Sequence, residues 1–416
     1  MIGMSRDWLD LAGKLIREGV KIGASDGPLL PPQELISRVR ERYTQFLVKG
    51  NAENPFVLEL RDGSRHVIGA GEPSFTLRIV TQAGLQAISS FDELAFAEAY
   101  MNGDIDIAGH MLSVFRCRGM LSDLHPLRYL KATYLEPWIG GQVDSDKRWI
   151  KSHYDIDPEF FLLWLDKKIR GYSHAFFEDE SEPLEVAMER KFRYAMDVTG
   201  MKPGWRVLDI GGGWGSFLEY GGSRGIQVTS LTISAESEKF MNELIRTKGL
   251  PGRAIREHLL EYKTTERYDA IVNFGVSEHL PDYPSTVAQY ERLLKPGRRL
   301  YLDAYSGERH AMPSFVTRWV YEGNTSPLAL PLYMEALRHT PFEVVLLQND
   351  RNNYYLTCRK WAERLEEARE TIVSRWGEFL YRRFHLYLWA SAYAFLANTL
   401  SAHHMVLELP ERQRTA

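Results

Sequence analysis

The chain has 416 residues, 44% hydrophobic and 25% charged, with a formal net charge of −4 and a pI near 6.3. That length supports two or three domains and a sizeable core. The mildly acidic balance excludes the overall basic character of a nucleic-acid binder, and local clusters such as Lys147-Arg148 and Arg382-Arg383 read as solvated faces. Cys117 and Cys358 are the only cysteines, so neither a disulfide framework nor a cysteine-rich metal site is indicated and a reducing cytosol fits. The N-terminus lacks the apolar core and cleavage site of a signal peptide. The longest apolar stretch, Leu386–Leu400, falls short of the roughly 20 residues needed to cross a bilayer.

In chain order, helical periodicity from about Ser5 to Val20 and a Pro31-Pro32 helix start running to about Val48 precede two short strands, Phe56–Leu60 and Ser64–Ile68. A strand at Ser74–Thr81 and helical segments at 91–101 and 107–117 complete a small α+β module over residues 1–120. Residues 121–150, with Pro126, Pro137, Gly140 and Gly141, read as a linker.

From 151 to 416 a second domain is expected, in which helices alternate with strands Arg206–Ile210, Gln227–Ile233, Tyr268–Phe274 and Arg299–Asp303. Alternation of this kind predicts a parallel sheet covered on both faces. Phe342–Leu347 and Tyr354–Arg359 are two late strands placed to close the sheet as an antiparallel pair. Residues 306–341 form an insertion expected over the carboxyl ends of the strands, where ligands bind in such sheets. The tail, Ala362–Leu407, reads as helical, and His403-His404 within it lacks a spaced partner motif for a metal.

The run Val207-Leu-Asp-Ile-Gly-Gly-Gly-Trp-Gly215 is an apolar strand followed by Gly-x-Gly-x-Gly, a turn that lets backbone approach a bulky cofactor. A dinucleotide site carries an acidic residue about 20 positions on, but the second strand ends in Leu-Thr-Ile-Ser with no acid. No Gly-Lys-Ser/Thr follows to cradle phosphates. S-adenosylmethionine, which has no phosphate, is the cofactor left standing beside the alternative of a purely structural turn.

Further segments travel with that loop: Glu98-Ala-Tyr-Met-Asn-Gly103, Ser152-His-Tyr-Asp155, Gly171-Tyr-Ser-His-Ala-Phe-Phe177, Leu231-Thr-Ile-Ser234, Gly275-Val-Ser-Glu-His279 and Tyr354…Trp361. In this order they resemble the cyclopropane-fatty-acyl-phospholipid synthase family, which includes the mycolic acid cyclopropane synthases, over about residues 90–410. The resemblance implies a Rossmann-like class I methyltransferase fold, an α/β seven-stranded sheet with a small N-terminal α+β domain and a helical C-terminal segment. It further implies S-adenosylmethionine-dependent alkylation of the double bond of an unsaturated acyl chain.

Carried over by position, Tyr172 and Ser173 match a cofactor-contacting pair, Asp209, Gly211 and Gly213 the cofactor loop, and Thr232 a ribose contact, with Ser237 where a Gln is usual. Bicarbonate serves relatives as the base, held by a Cys, a Glu, a His and a Tyr. Glu278 and Tyr354 match two of these, whereas His174 stands for the Cys and Asp303 for the His. His174 is therefore expected either to accept the proton itself or to offset Asp303 as a cation, with a packing role as the alternative; Asp303 is the other candidate acceptor. The partners implied are an acyl lipid or phospholipid, a membrane touched peripherally at its inner face, in one version through the Trp8–Ile16 helix, and a second copy of the chain. Two other readings stay open: methylation of a non-lipid metabolite, and a non-catalytic lipid-binding role.

Overall fold

The computed structural model describes residues 29–123, 156–307, 313–321 and 326–411. The N-terminal helix over Ser5–Val20, most of the linker, and the Ser152-His-Tyr-Asp155 motif lie outside these residues. The chain divides into two compact units, Met1–Leu130 with Pro313–Phe315, and Lys131–Met312 with Val316–Ala416.

The first unit contains helix α1 (Pro32–Val48), strands β1 (Phe56–Glu59), β2 (Arg65–Ile68) and β3 (Phe75–Ile79), helices α2 (Gln82–Ser90) and α3 (Glu93–Asn102), strand β4 (Ile105–Gly109) and helix α4 (Met111–Arg116). Its four strands form one sheet in the order β2-β1-β3-β4. Residues 105–109, partly read as the start of a helix, are a strand paired antiparallel with β3, and the helix begins only after His110, whose side chain accepts from the Leu112 N–H.

The second unit is built on a seven-stranded sheet. Helices α5 (Pro158–Trp164) and α6 (Leu184–Thr199) precede β5 (Arg206–Ile210), α7 (Ser216–Gly222), β6 (Gln227–Thr232), α8 (Ala235–Lys248), β7 (Gly252–Arg256) and β8 (Tyr268–Phe274). Then come α9 (Tyr283–Leu293), β9 (Leu294–Ser306), α10 (Ser314–Trp319), α11 (Leu330–Arg338), β10 (Glu343–Asn349), α12 (Arg351–Glu367), α13 (Arg369–Trp376), α14 (Glu378–Leu396) and β11 (Ser401–Leu409). The strand order is β10-β11-β9-β8-β5-β6-β7. The pairs from β7 across to β9 are parallel, and β11 alone runs against its neighbours. Strands β5 and β8 are buried along nearly their whole length, so their sequences are mostly apolar, with Asp209, Asp269 and Asn273 as buried exceptions, rather than alternating.

Two local expectations are corrected here, and one strand is added. Tyr354–Arg359 lies in α12, because its apolar positions Leu356, Cys358, Trp361, Ala362 and Leu365 form the buried face of a helix. The strand that pairs with β10 is β11, drawn from the tail read as helical. Buried on both faces between β9 and β10, it shows no clean alternation in sequence. Strand β7 was not foreseen: it is the sheet edge, carries Arg253 and Arg256, and has no fully buried position.

Candidate active site

The carboxyl end of β5 opens into the glycine turn. Gly211, Gly213 and Gly215 all have left-handed backbones, at φ +75°, +51° and +69°. The reasons for glycine differ along the turn. A Cβ at Gly211 would lie 2.3 Å from Val276 Cγ2, whereas a Cβ at Gly213 meets nothing nearer than Gly211 O at 3.9 Å. Gly211 is therefore required by packing within the protein. Gly213 leaves open space in front of the turn.

That space is a cleft bounded by Gly211 and Gly213 after β5, Thr232 to Ser234 and Ser237 after β6, Glu257 to Leu259 after β7, and Gly275 and Val276 after β8. It sits where connections leave the sheet in opposite directions from β5, the usual ligand position in this architecture. Thr232 lines it, and its Oγ1 accepts from the Ser234 N–H at 3.2 Å; the Ser234 hydroxyl in turn caps α8 by accepting from Ser237 N–H. Tyr321, from the stretch between β9 and β10, contributes to the wall. The same stretch is pinned to the strand ends by Ser326 N–H donating to the Glu278 carbonyl and Leu328 N–H to the Tyr305 carbonyl.

Asp209 is not among the lining residues. It is 2% exposed and accepts from Ser230 Oγ at 2.7 Å, its partner in the β5–β6 register, and burial pushes its carboxyl up to about 7. Tyr172 also stands back from the cleft, in an aromatic cluster with Phe161, Trp164 and Trp361 at ring separations of 5.5–5.8 Å. Ser173 packs directly over Gly275, with only 3.1 Å between its Cβ and the position a Gly275 Cβ would take.

Behind Ser173 lies a second feature, a buried polar cluster. Lys191 on α6 is completely buried, donates to Ser173 Oγ at 2.5 Å and pairs with Asp303 Oδ2 at 3.4 Å. Burial lowers its pKa, and the Asp303 charge pulls it back up. Asp303 also accepts from Tyr301 OH at 3.3 Å. His174 therefore does not serve as the counter-cation of Asp303; Lys191 does.

His174 pairs with a different carboxylate. Its Nε2 lies 3.1 Å from Asp350 Oδ2, and the same oxygen is 2.5 Å from His404 Nδ1. On its far side, His404 Nε2 lies 3.2 Å from Tyr194 OH. Burial alone would raise the Asp350 carboxyl, but the two imidazoles overcome this and hold it well below the usual carboxylate range. The segment after Tyr172 is fixed in place by α12: Ala175 N–H donates to Thr357 Oγ1 and Phe177 N–H to Asn353 Oδ1, each at 2.9 Å.

Glu278, in a one-turn 3-10 helix, Ser277–His279, after β8, accepts from Tyr305 N–H at 2.8 Å. Burial raises its carboxyl to about 8, with Asp303 adding to the rise, so it is mainly a neutral acid at pH 7. Tyr354 is stacked on Phe395 at 4.3 Å and lies 5.0 Å from the His174 ring; burial first, then the charge of Glu278, raises its phenol well above the ordinary value. Four atoms of the cluster are buried without a hydrogen-bond partner among the described residues: His174 Nδ1, Glu278 Oε2, Asp303 Oδ1 and Asp350 Oδ1.

The four residues expected to carry the chemistry, His174, Glu278, Asp303 and Tyr354, thus come from four separated segments into one buried region. Three further members escaped the sequence reading. Lys191 had a signal, a lone lysine on the apolar face Leu184, Ala187, Met188, Phe192 and Ala195. Asp350 and His404 had none, because each acquires meaning only through the pairing of β10 with β11. Among the described residues, no group of His, Cys, Asp and Glu is arranged to hold a metal ion.

Comparison with known proteins agrees with this fold. The family model for mycolic acid cyclopropane synthetase matches residues 142–405, and a domain of unknown function matches residues 43–118. The chain is 26% identical to the tuberculostearic acid methyltransferase UfaA1 of Mycobacterium tuberculosis, over 76% of this chain and 78% of that one. It is 30% identical to the cyclopropane-fatty-acyl-phospholipid synthase of Escherichia coli K12, over 64% and 69%. Among solved structures, the cyclopropane synthase MmaA2 from Mycobacterium tuberculosis superimposes with a TM-score of 0.59 at 26% identity, covering 63% of this chain and 97% of that one. With more than half its length matched by that family and the cofactor turn and sheet order in place, the chain belongs to the mycolic acid cyclopropane synthetase family of S-adenosylmethionine-dependent methyltransferases.

Proposed function

We propose that the protein alkylates the double bond of an unsaturated fatty acyl chain of a lipid, giving a cyclopropane or a methyl- or methylene-branched product. The observation that carries this reading is the polar cluster itself. Charged groups are buried only where they are paired or used, and this one adjoins the cofactor cleft through Ser173 on Gly275 while keeping four polar atoms unpartnered. Attack of an alkene π bond on a methyl group leaves a carbocation that must be kept from water and must then lose a proton. Such a reaction needs what the cluster offers: negative potential, a proton acceptor and dry walls.

S-adenosylmethionine supplies an electrophilic methyl on a positively charged sulfur. The open space at Gly213 fits it, since any side chain there would project into the cleft. Ser173, over Gly275, would close the cleft with Tyr172 behind it in the aromatic cluster, Thr232 would meet the ribose, and Asp209 would hold the turn from beneath. Phe161, Trp164, Trp361 and Phe384 pack into a buried apolar cluster that would keep water from this side of the site. Glu278 and Tyr354 are assigned to orient the reacting centre, and Asp303, held by Lys191, to stabilise positive charge there.

Bicarbonate does not fit this cluster well. Two of the four unpartnered atoms, Asp303 Oδ1 and Asp350 Oδ1, are carboxylate oxygens, which repel an anion, and the lysine ammonium is already engaged by Ser173 and Asp303. The N-terminal module is assigned to lipid access, with peripheral contact at the inner face of the membrane and self-association as accompanying proposals. Among the described residues no helix is long and apolar enough to cross a membrane.

The test is incubation of purified protein with methyl-labelled S-adenosylmethionine and vesicles of unsaturated or fully saturated phospholipid, followed by mass spectrometry. Label is expected in acyl chains of the unsaturated lipid only. Label appearing solely in a water-soluble metabolite from a cell extract would favour the non-lipid reading.

A further inference from the structure

We propose that His174, clamped by Asp350 with His404 behind it, is the proton acceptor of the reaction, so that the chain carries its own base and needs no bound anion. This rests on the function proposed above and deepens it. For His174 to act as a base both imidazoles must be uncharged, and the hydrogen bonds then leave one assignment. Asp350 Oδ2 only accepts, so His174 donates through Nε2–H and His404 through Nδ1–H, at 3.1 and 2.5 Å. His404 Nε2 then carries a lone pair, matched by the Tyr194 hydroxyl as donor at 3.2 Å. The atom left over is His174 Nδ1, a bare lone pair, buried and without a partner among the described residues. A carboxylate that fixes the tautomer of a histidine and stabilises the resulting imidazolium is the arrangement used by general bases elsewhere.

Charge balance points the same way. Lys191 offsets Asp303, and Glu278, with its pKa raised to about 8, is largely neutral at pH 7. The anion not offset is Asp350, which faces two imidazoles. With both imidazoles in the uncharged form that a base requires, the cluster holds one net negative charge before proton transfer, which favours a nearby carbocation. Afterwards it is neutral. An added bicarbonate would double the buried negative charge instead.

In the step itself, the alkene π pair forms a bond to the methyl carbon, and the S–C pair stays on sulfur. The cation then gives a proton to His174 Nδ1. The C–H pair left behind becomes the new ring bond or double bond, and the imidazolium is held by Asp350. Loss of that proton to water on product release restores the base. The ring of Tyr354, 5.0 Å from that of His174, ties the base to the α12 face of the cluster. The other titratable groups around His174 are Asp350 on the β10–α12 junction, Tyr194 and Lys191 on α6, Tyr301 and Asp303 on β9, His404 on β11, and Glu278 after β8.

Two measurements test this. Kinetics of the wild type, Asp350→Asn and Asp350→Glu are recorded against pH in bicarbonate-free buffer and with bicarbonate added, alongside S-adenosylmethionine affinity. Wild-type turnover is expected without bicarbonate. Asp350→Asn is expected to lower kcat about 100-fold with KM within about twofold, and to move the acid limb of kcat about one pH unit lower, because the imidazolium loses its anionic partner. Asp350→Glu should recover part of kcat, which a merely structural role does not require. A wild type that depends on bicarbonate, or an Asp350→Asn variant with normal kcat and an unmoved limb, overturns the proposal.

The second measurement does not depend on Asp350→Asn folding, since it uses the unaltered protein: ¹⁵N NMR of histidine-labelled protein with S-adenosylhomocysteine added, with His174→Gln and His404→Gln spectra for assignment. His174 protonated at Nε2 alone is the expected result. Protonation at Nδ1 at neutral pH overturns the base assignment whatever the substrate proves to be. Absence of turnover on every unsaturated lipid, by contrast, removes the proposed function and leaves the NMR result to decide the tautomer.

Discussion

The cofactor cleft and the polar cluster adjoin each other, yet they are made in different ways. The cleft is backbone architecture: the carboxyl ends of β5 to β8 and a glycine turn whose vacancy at position 213 leaves room for a ligand. The cluster is made of side chains, and each is held by another: Lys191 by Ser173 and Asp303, His174 and His404 by Asp350, Glu278 by the Tyr305 amide. A backbone site tolerates side-chain change except where a side chain would enter the vacancy. A side-chain network loses stability whenever one partner is removed and the other stays buried.

Breaking the network at its cation should have the largest effect. Lys191→Met leaves Asp303 buried without its counter-charge and is expected to cost about 3–5 kcal/mol. The double variant Lys191→Met/Asp303→Asn should recover most of that, read from urea midpoints. A double variant no more stable than the single would mean that the pair is not coupled.

Within the glycine turn, two neighbouring substitutions should separate. Gly211→Ala drives a Cβ to within 2.3 Å of Val276, and is expected to destabilise the fold by about 1–3 kcal/mol. Gly213→Ala meets no protein atom closer than 3.9 Å, so its stability cost should be only the left-handed backbone penalty of about 1 kcal/mol. Its S-adenosylmethionine affinity should nonetheless fall at least about tenfold, roughly 1.4 kcal/mol. Calorimetry on a variant shown to be folded checks this, and wild-type affinity would remove Gly213 from the cofactor site.

A smaller effect concerns pH. Glu278 is raised from 4.5 to about 8 by burial, so the folded state retains a proton that the unfolded chain has already released. Its contribution to stability is complete below pH 4.5 and is lost as pH rises through about 8. The Glu278→Gln variant, which cannot ionise, should show a flatter decline in melting temperature between pH 5 and pH 9 than the wild type. Parallel curves would indicate a carboxyl already ionised at neutral pH. Least affected should be Asp209→Asn: its Ser230 partner can still donate, and a loss of about 1 kcal/mol or less is expected in urea melts.

The contrast also explains what could be seen in the sequence. Strands β5, β6 and β8 and the glycine turn were legible because each is set by contiguous residues: apolar runs, then glycines at fixed spacing. The α/β class followed from their alternation with helices. Strand β7 was hidden by its arginines at the sheet edge, and β11 by burial on both faces. Tyr354 was singled out by its spacing from Trp361, and it sits on a helix and not a strand. For the cluster, His174, Glu278, Asp303 and Tyr354 could be found because they stand in recognisable local motifs. Asp350 and His404 could not, since their meeting depends on Asn349 pairing with His403 across β10 and β11, and no local pattern announces a contact between residues 54 positions apart.

The central claim is that cleft and cluster together transfer a methyl carbon to an unsaturated acyl chain. Purified protein given methyl-labelled S-adenosylmethionine and unsaturated phospholipid vesicles tests it most directly. The expected result is an acyl chain heavier by one CH₂ carrying the label, absent with saturated vesicles and strongly reduced in the His174→Gln variant. A folded protein that binds S-adenosylmethionine yet leaves unsaturated acyl chains unlabelled would contradict it.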